Sequence, residues 1–278
     1  MAVAPPDLLD HLEAIERLLA SPPFGLFVDL DGTIAPLAPK PQMVAITGPL
    51  RQSLATLSRA ATVVVLTGRD VAGCRGIVGL DSVVYAGNHG LEWWEAGKRS
   101  LLPEAEPFVE RAGALAAAAR SHFGDRKGIL VEEKGPTVAL HYRLVPVHQA
   151  VRSELLEWLA VLPEARAFVV REGKMVVEAR PALGADKGTA FARVVQAHGL
   201  RSALVLGDDM TDLDAFRELA RLRTRGPLVG LSIAVLGAEP NQEAVAAADY
   251  RLSDPSAVEQ LLQWLAAQVE ERGWSSGG

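Results

Sequence analysis

The chain has a single cysteine, Cys74, so no internal disulfide is available to it. Nothing around Cys74 marks it as a nucleophile, and a small buried thiol in a reducing cytoplasm is the expected state. Basic charge is scarce as well. The formal charge of −6 leaves no excess for a nucleic acid or an anionic membrane, so neither is an expected partner. No run of about 18 apolar residues occurs, which argues against a helical membrane span. Met1 to Ala20 lacks a basic start followed by an unbroken apolar stretch, so no secretory signal is expected. A cytoplasmic monomer is the expectation. What the chain does have is apolar material: 49% of its residues are hydrophobic, enough to pack one large domain or two modest ones.

Periodicity divides the chain into alternating elements. Leu8, Leu9, Leu12, Ile15, Leu18 and Leu19 recur at helical spacing, and Pro22-Pro23 ends that helix. The apolar run Phe24 to Val28 reads as a buried strand and opens directly into Asp29-Leu30-Asp31-Gly32-Thr33. A proline-rich loop (Pro36, Pro39, Pro41) and a helix carrying Leu50, Leu54 and Leu57 follow. A strand from Thr62 to Leu66 ends in Thr67-Gly68-Arg69 and is followed by another helix. A third strand, Val83 to Tyr85, leads to Gly87-Asn88-His89-Gly90 and a hairpin through Trp93 and Trp94. This alternation predicts an α/β fold, a doubly wound parallel sheet of Rossmann-like type. Ligands in such sheets lie beyond the carboxyl ends of the strands, where Asp29 and Thr67 fall.

The middle of the chain has another rhythm. Helices over 104–122 and 147–162 are each followed by two strands, 129–133 with 137–142 and 167–171 with 175–178. This αββαββ pattern predicts a small α+β module inserted into the larger domain. After Pro181 the alternation resumes: a helix from Lys187, a strand from Ala203 to Leu206, a helix from Asp212, a strand near 233–235 and a last helix over 256–270. Ser275 to Gly278 is expected to fray. The expected domains are residues 1–104 and 181–278 for the core, with 105–180 as the insertion.

Acidic residues gather at the predicted strand ends. Asp29 and Asp31, two apart, can be turned toward one ligand by a loop that Gly32 allows to bend tightly. Carboxylate oxygens suit a hard cation such as Mg²⁺, and an aspartate can itself be a phosphoryl acceptor. A polar turn closing a strand would use the same residues. Thr67 could donate to a phosphoryl oxygen or simply cap the next helix. Lys187 could neutralise phosphate and carboxylate charge or lie on the surface. Gly207-Asp208-Asp209-Met210-Thr211-Asp212 brings further carboxylates to a strand end, to complete a metal site or to favour a helix dipole.

Taken in order, D-x-D-G-T, then Thr67, Lys187 and G-D-D-x-x-D resemble the haloacid dehalogenase-like hydrolase superfamily. That resemblance implies that Asp29 attacks phosphorus, and that Asp31 protonates the leaving oxygen and then activates water. It implies that Thr67 and Lys187 hold phosphoryl oxygens. Asp29, the Asp31 backbone carbonyl and Asp208 would bind Mg²⁺, with Asp212 in support. Only about 35 residues separate Asp31 from Thr67, too few for a domain, so the insertion falls between Thr67 and Lys187. Its pattern resembles the C2-type cap of sugar-phosphate phosphatases.

Longer segments resemble the trehalose-6-phosphate phosphatase family. They are Ala86-Gly87-Asn88-His89-Gly90-Leu91-Glu92, Val131-Glu132-Glu133-Lys134-Gly135 with His141-Tyr142-Arg143, and Glu178-Ala179-Arg180-Pro181 running into Asp186-Lys187-Gly188. The resemblance implies hydrolysis of trehalose 6-phosphate, a functional link to a trehalose-6-phosphate synthase, and a sugar read by Glu132, Lys134 and Glu178. Arg69, Asn88 and His89 would line the core side. Leu213 stands where the family usually has Glu, and Ala185 where an aromatic often precedes Asp-Lys-Gly; neither change removes a catalytic group. The alternatives are a phosphatase of sucrose phosphate or a glycosyl-phosphoglycerate, or a catalytically silent sugar-phosphate-binding module.

Overall fold

The computed structural model of the chain describes residues 4–38, 40–237 and 240–273. Pro39 of the proline-rich loop and the Ser275–Gly278 tail lie outside them. Two compact units are present, one formed by Met1–Ser100 with Ala185–Gly278 and the other by Leu101–Gly184.

The first unit begins with α1 (Glu13–Leu19) and β1 (Phe24–Val28), followed by α2 (Gly48–Leu57), β2 (Thr62–Leu66), α3 (Val71–Val78) and β3 (Val84–Gly87). The neighbouring strands β4 (Glu92–Glu95) and β5 (Lys98–Leu101) are joined by Ala96-Gly97. Both linking residues have positive φ, 49° and 78°, as the tightest hairpin turns require.

The second unit contains α4 (Glu106–Phe123), β6 (Leu130–Lys134), β7 (Thr137–His141), α5 (His148–Val161), β8 (Phe168–Gly173) and β9 (Val176–Pro181). Its strands run in the order β6-β7-β9-β8, antiparallel throughout. Leu115, Phe123, Leu140, Leu155 and Val177 form its core. The chain then returns to the first unit as α6 (Lys187–Ala197), β10 (Ser202–Gly207), α7 (Asp212–Arg225), β11 (Val229–Val235), α8 (Gln242–Ala247), β12 (Tyr250–Leu252) and α9 (Pro255–Glu271).

The large sheet has the order β12-β11-β10-β1-β2-β3-β4-β5 and is parallel from β12 to β3. Two separate apolar clusters pack it, one around Leu26, Val65 and Leu262, the other around Phe27, Phe191 and Phe216. Leu26 and Phe27 are successive residues of β1, and side chains alternate faces along a strand, so the sheet is buried on both sides. The register pairs Val28 with Leu206 on one flank and with Val65 on the other. The residues that follow these three strands therefore emerge side by side. Because the chain leaves β1 for β2 and later returns on its other flank as β10, this is the switch point at which such sheets bind ligands.

The N-terminus departs from the expected continuous helix. Leu8–Asp10 is a 3-10 turn, and the α-helix starts only at Glu13. Asp7 accepts from the Leu9 amide, and Arg251 donates to the Pro6 carbonyl, so this stretch is tied to β12 instead of joining the helix. The short α8 and β12 carry too few residues for a periodicity to declare them. Among the described residues no helix is long and apolar enough to cross a membrane.

At the start of α9, Asp254 accepts from the amides of Ser256 (2.7 Å) and Ala257 (3.1 Å). Asp254→Ala is expected to cost about 1 kcal/mol in urea unfolding near neutral pH. Hydrogen bonds from the Ser256 side chain and the Ala257 amide hold the Asp254 carboxyl below the usual aspartate range. Its contribution is thus present above the unfolded-state value and lost as pH falls through the folded one. The gap between parent and variant should close in acid.

Candidate active site

Asp29 follows β1 directly, its amide bonded to the Leu206 carbonyl of β10 at 3.0 Å. Its carboxylate is buried and accepts from the Lys187 ammonium at 2.7 Å. The same ammonium donates to Asp212 Oδ1 at 2.6 Å. Asp212 uses its other oxygen to accept from the amides of Asp208 and Asp209, both at 3.0 Å. One side chain therefore both neutralises Lys187 and shapes the loop after β10. Asp186 caps α6 with a reciprocal bond to Thr189, which fixes the first turn in which Lys187 lies.

Two glycines let the carboxylates approach the backbone. A Cβ at Gly207 would stand 2.2 Å from the Asp212 carboxyl carbon. A Cβ at Gly32, where φ is 92°, would stand 2.3 Å from an Asp208 oxygen. Neither position can hold a side chain while the carboxylate stays in place. The Thr33 hydroxyl donates to Asp208 at 3.2 Å. That contact spans 175 positions of sequence, so no local pattern announces it.

Asp29, Asp208 and Asp212 each offer an oxygen, and the three atoms lie within 4.8 Å of one another. Burial pushes the Asp29 carboxyl well above the usual range; Lys187 opposes this, while Asp212, Asp208 and Asp31 add to it. Burial also works against the Lys187 charge, yet Asp212 and Asp29 outweigh it and hold the ammonium above the usual lysine range. One cation thus serves a cluster of carboxylates. Such an all-oxygen, buried, anionic set could hold a hard divalent metal.

Thr67 ends β2 and is buried; its hydroxyl accepts from the Arg69 amide at 3.1 Å. The cap of α3 is Asp70, which accepts from the Gly73 amide, so Thr67 is not used for capping. Thr211, at the start of α7, makes no capping bond through its side chain. Arg69 donates twice to the Asp31 carboxylate, at 2.6 and 2.7 Å, a bidentate pair. Next to this, the Asn88 amide bonds the Arg69 carbonyl and the His89 amide bonds the Thr67 carbonyl. The first unit thereby gathers Asp29, Asp31, Thr67, Arg69, Asn88, His89, Lys187, Asp208 and Asp212 around adjoining strand ends.

In the second unit the register sets Glu132, Ala139 and Glu178 abreast across β6, β7 and β9. Glu178 accepts from Lys134 at 2.9 Å and also from Arg180; Glu132 is 2.7 Å from His141. Arg180 and His141 had no expected role, although both lie in segments that stood out in the sequence.

A doubly wound sheet that delivers buried aspartates and a lysine to adjoining strand ends is the architecture of haloacid dehalogenase-like hydrolases. The model of the trehalose-phosphatase family matches residues 27–256, and the chain belongs to that family. A probable trehalose-phosphate phosphatase of Sinorhizobium fredii is 36% identical over 245 residues, covering 85% of this chain and 89% of the relative. A trehalose-phosphate phosphatase of Mycobacterium tuberculosis is 32% identical over 278 residues, covering 96% of this chain and 67% of the relative. The C-terminal domain of C. albicans trehalose-6-phosphate phosphatase shares the fold, with a TM-score of 0.78, 22% identity, and coverage of 95% of this chain and 99% of that one.

Proposed function

We propose that the chain hydrolyses trehalose 6-phosphate to trehalose and phosphate by way of a phosphorylated Asp29. The observation that carries this reading is the buried cluster of Asp29, Lys187, Asp208 and Asp212 at the sheet's switch point. Mg²⁺ would be held by Asp29, the Asp31 carbonyl and Asp208, with Asp212 in support. The ion would supply positive charge against the phosphoryl oxygens.

The chain's own groups perform the rest. A carboxylate oxygen of Asp29 attacks phosphorus as the bond to the sugar oxygen breaks, and Asp31 gives that oxygen a proton. Asp31 then takes a proton from water, which attacks phosphorus, releases phosphate and restores Asp29. Asp31 must part from Arg69 to do this. Thr67 and Lys187 steady the phosphoryl oxygens, so catalysis rests on positioning and fixed charge.

The second unit would act as the cap. Glu132 and Glu178 would accept from sugar hydroxyls, and Lys134 would donate to them. Asn88 and His89 would meet the sugar from the core side. Such an enzyme would work in the cytoplasm, on the product of a trehalose-6-phosphate synthase.

The test is phosphate release from trehalose 6-phosphate, sucrose 6-phosphate and glucosyl-3-phosphoglycerate, each with Mg²⁺ and with chelator. Trehalose 6-phosphate is expected to be preferred, with release lost in chelator and restored by Mg²⁺. Preference for another sugar phosphate overturns the substrate. Silence toward all of them favours a binding module.

A further inference from the structure

Glu92 is buried in the first unit, on β4, and the catalytic reading gives it no task. Three donors surround its carboxylate. Its Oε2 accepts from the Val71 amide at 3.1 Å and from Asn88 Nδ2 at 3.0 Å, and its Oε1 accepts from Arg99. Val71 is the first residue of α3, so the carboxylate also meets the positive end of that helix. A carboxylate only accepts, and it suits a setting made wholly of donors.

The segment that Glu92 holds is under backbone strain. Asn88, His89 and Gly90 have φ of 48°, 56° and 95°, three consecutive residues in the left-handed region. Only the last is glycine. For Asn88 and His89, which carry side chains, such conformations are costly and persist where surrounding contacts enforce them. The enforcing contacts are visible here. The Asn88 amide bonds the Arg69 carbonyl, the His89 amide bonds the Thr67 carbonyl, and Glu92 takes the Asn88 side chain. Gly87 and Gly68 permit the close approach: a Cβ at Gly87 would meet the Arg69 carbonyl and Val71 amide at 2.9 Å, and one at Gly68 would meet the His89 ring at 2.5 Å.

We propose that Glu92 is a positioning residue that fixes the Asn88 side chain for the sugar phosphate while tying its loop to the start of α3. The proposal rests on the reading of Asn88 as a substrate contact. With Nδ2 committed to Glu92, the Asn88 amide keeps one orientation instead of two. The carboxylate acts through Asn88 and touches no reacting atom.

The test is a double-mutant cycle on the full chain with Mg²⁺ and trehalose 6-phosphate, with thermal melts as the control for folding. Asn88→Ala and Glu92→Ala are each expected to raise KM about tenfold, the scale of one lost hydrogen bond, with kcat changed by less than about threefold. The double variant should match the Asn88→Ala variant, because the two changes share one effect. Glu92→Asp withdraws the acceptor by one methylene while keeping the charge, and carries the same expectation if the alanine variant does not fold. Glu92→Gln keeps one oxygen for Val71 and Asn88 while Arg99 turns to water, so its KM should stay within about twofold.

Fully additive effects on KM overturn the positioning role while leaving Asn88 as a substrate contact. A lowered melting temperature with unchanged KM shows a structural role only and overturns it too, as does a Gln variant as impaired as the Asp variant. An unchanged KM in Asn88→Ala removes the substrate reading of Asn88, and the positioning role with it.

Discussion

Asp29→Asn is expected to reduce phosphate release by on the order of 10⁴-fold or more while leaving the fold intact. Asparagine has the same shape, and its carbonyl oxygen can still accept from Lys187, which donates to Asp29 at 2.7 Å in the parent. What disappears is the oxygen proposed to attack phosphorus. The change also removes one negative charge from a buried group whose ionisation burial and three further carboxylates oppose. Without metal, the variant should therefore melt no lower than the parent, and Mg²⁺ should raise its melting temperature less. Phosphate-release kinetics and melts with and without Mg²⁺ check both halves. Turnover above about a hundredth of the parent value would rule out nucleophilic attack by Asp29, since acid–base support alone contributes roughly 10²–10⁴-fold.

Lys187→Met should damage both stability and turnover. The ammonium is buried between Asp29 and Asp212, and methionine fills similar volume without charge. Removing one partner of a buried ion pair costs about 3–5 kcal/mol because the remaining charge is stranded. Asp212 would also lose the bond that aims it while it holds the amides of Asp208 and Asp209. Turnover should fall on the order of 10³-fold, as when a fixed transition-state donor is removed. Saturating Mg²⁺ should recover part of the stability, since under the proposed reading it would bring positive charge to the same carboxylates. Urea unfolding with and without Mg²⁺ measures this, and an undiminished metal-free stability would show that Lys187 does not neutralise the cluster.

Much of this could be read in the sequence because strand ends are local events. Phe24 to Val28 is a short apolar run typical of a buried strand, and Asp29 follows it without a gap. Lys187 and Asp208 were legible for the same reason, each standing where a regular element begins or ends. Contacts made through space left little trace. Thr33 on Asp208, Arg69 on Asp31 and Arg180 on Glu178 depend on which strands lie together, and side-chain periodicity does not report strand order. Asp212 was expected to support the metal shell or to favour a helix dipole, and its grip on two loop amides depends on how the loop after β10 folds back over it. The N-terminal helix was overdrawn because leucine spacing ignores the ties that hold Pro6 and Asp7 to Arg251.

Gly32 and Gly207 bear on how this lineage can drift. A Cβ at either position would lie within 2.5 Å of a carboxylate atom, so these two sites admit none of the other amino acids while Asp208 and Asp212 keep their places. A descendant that has abandoned the chemistry has no reason to preserve them. Their replacement would then record decay of the enzyme even where every aspartate survives, and their retention in an apparently idle relative would point to a working site.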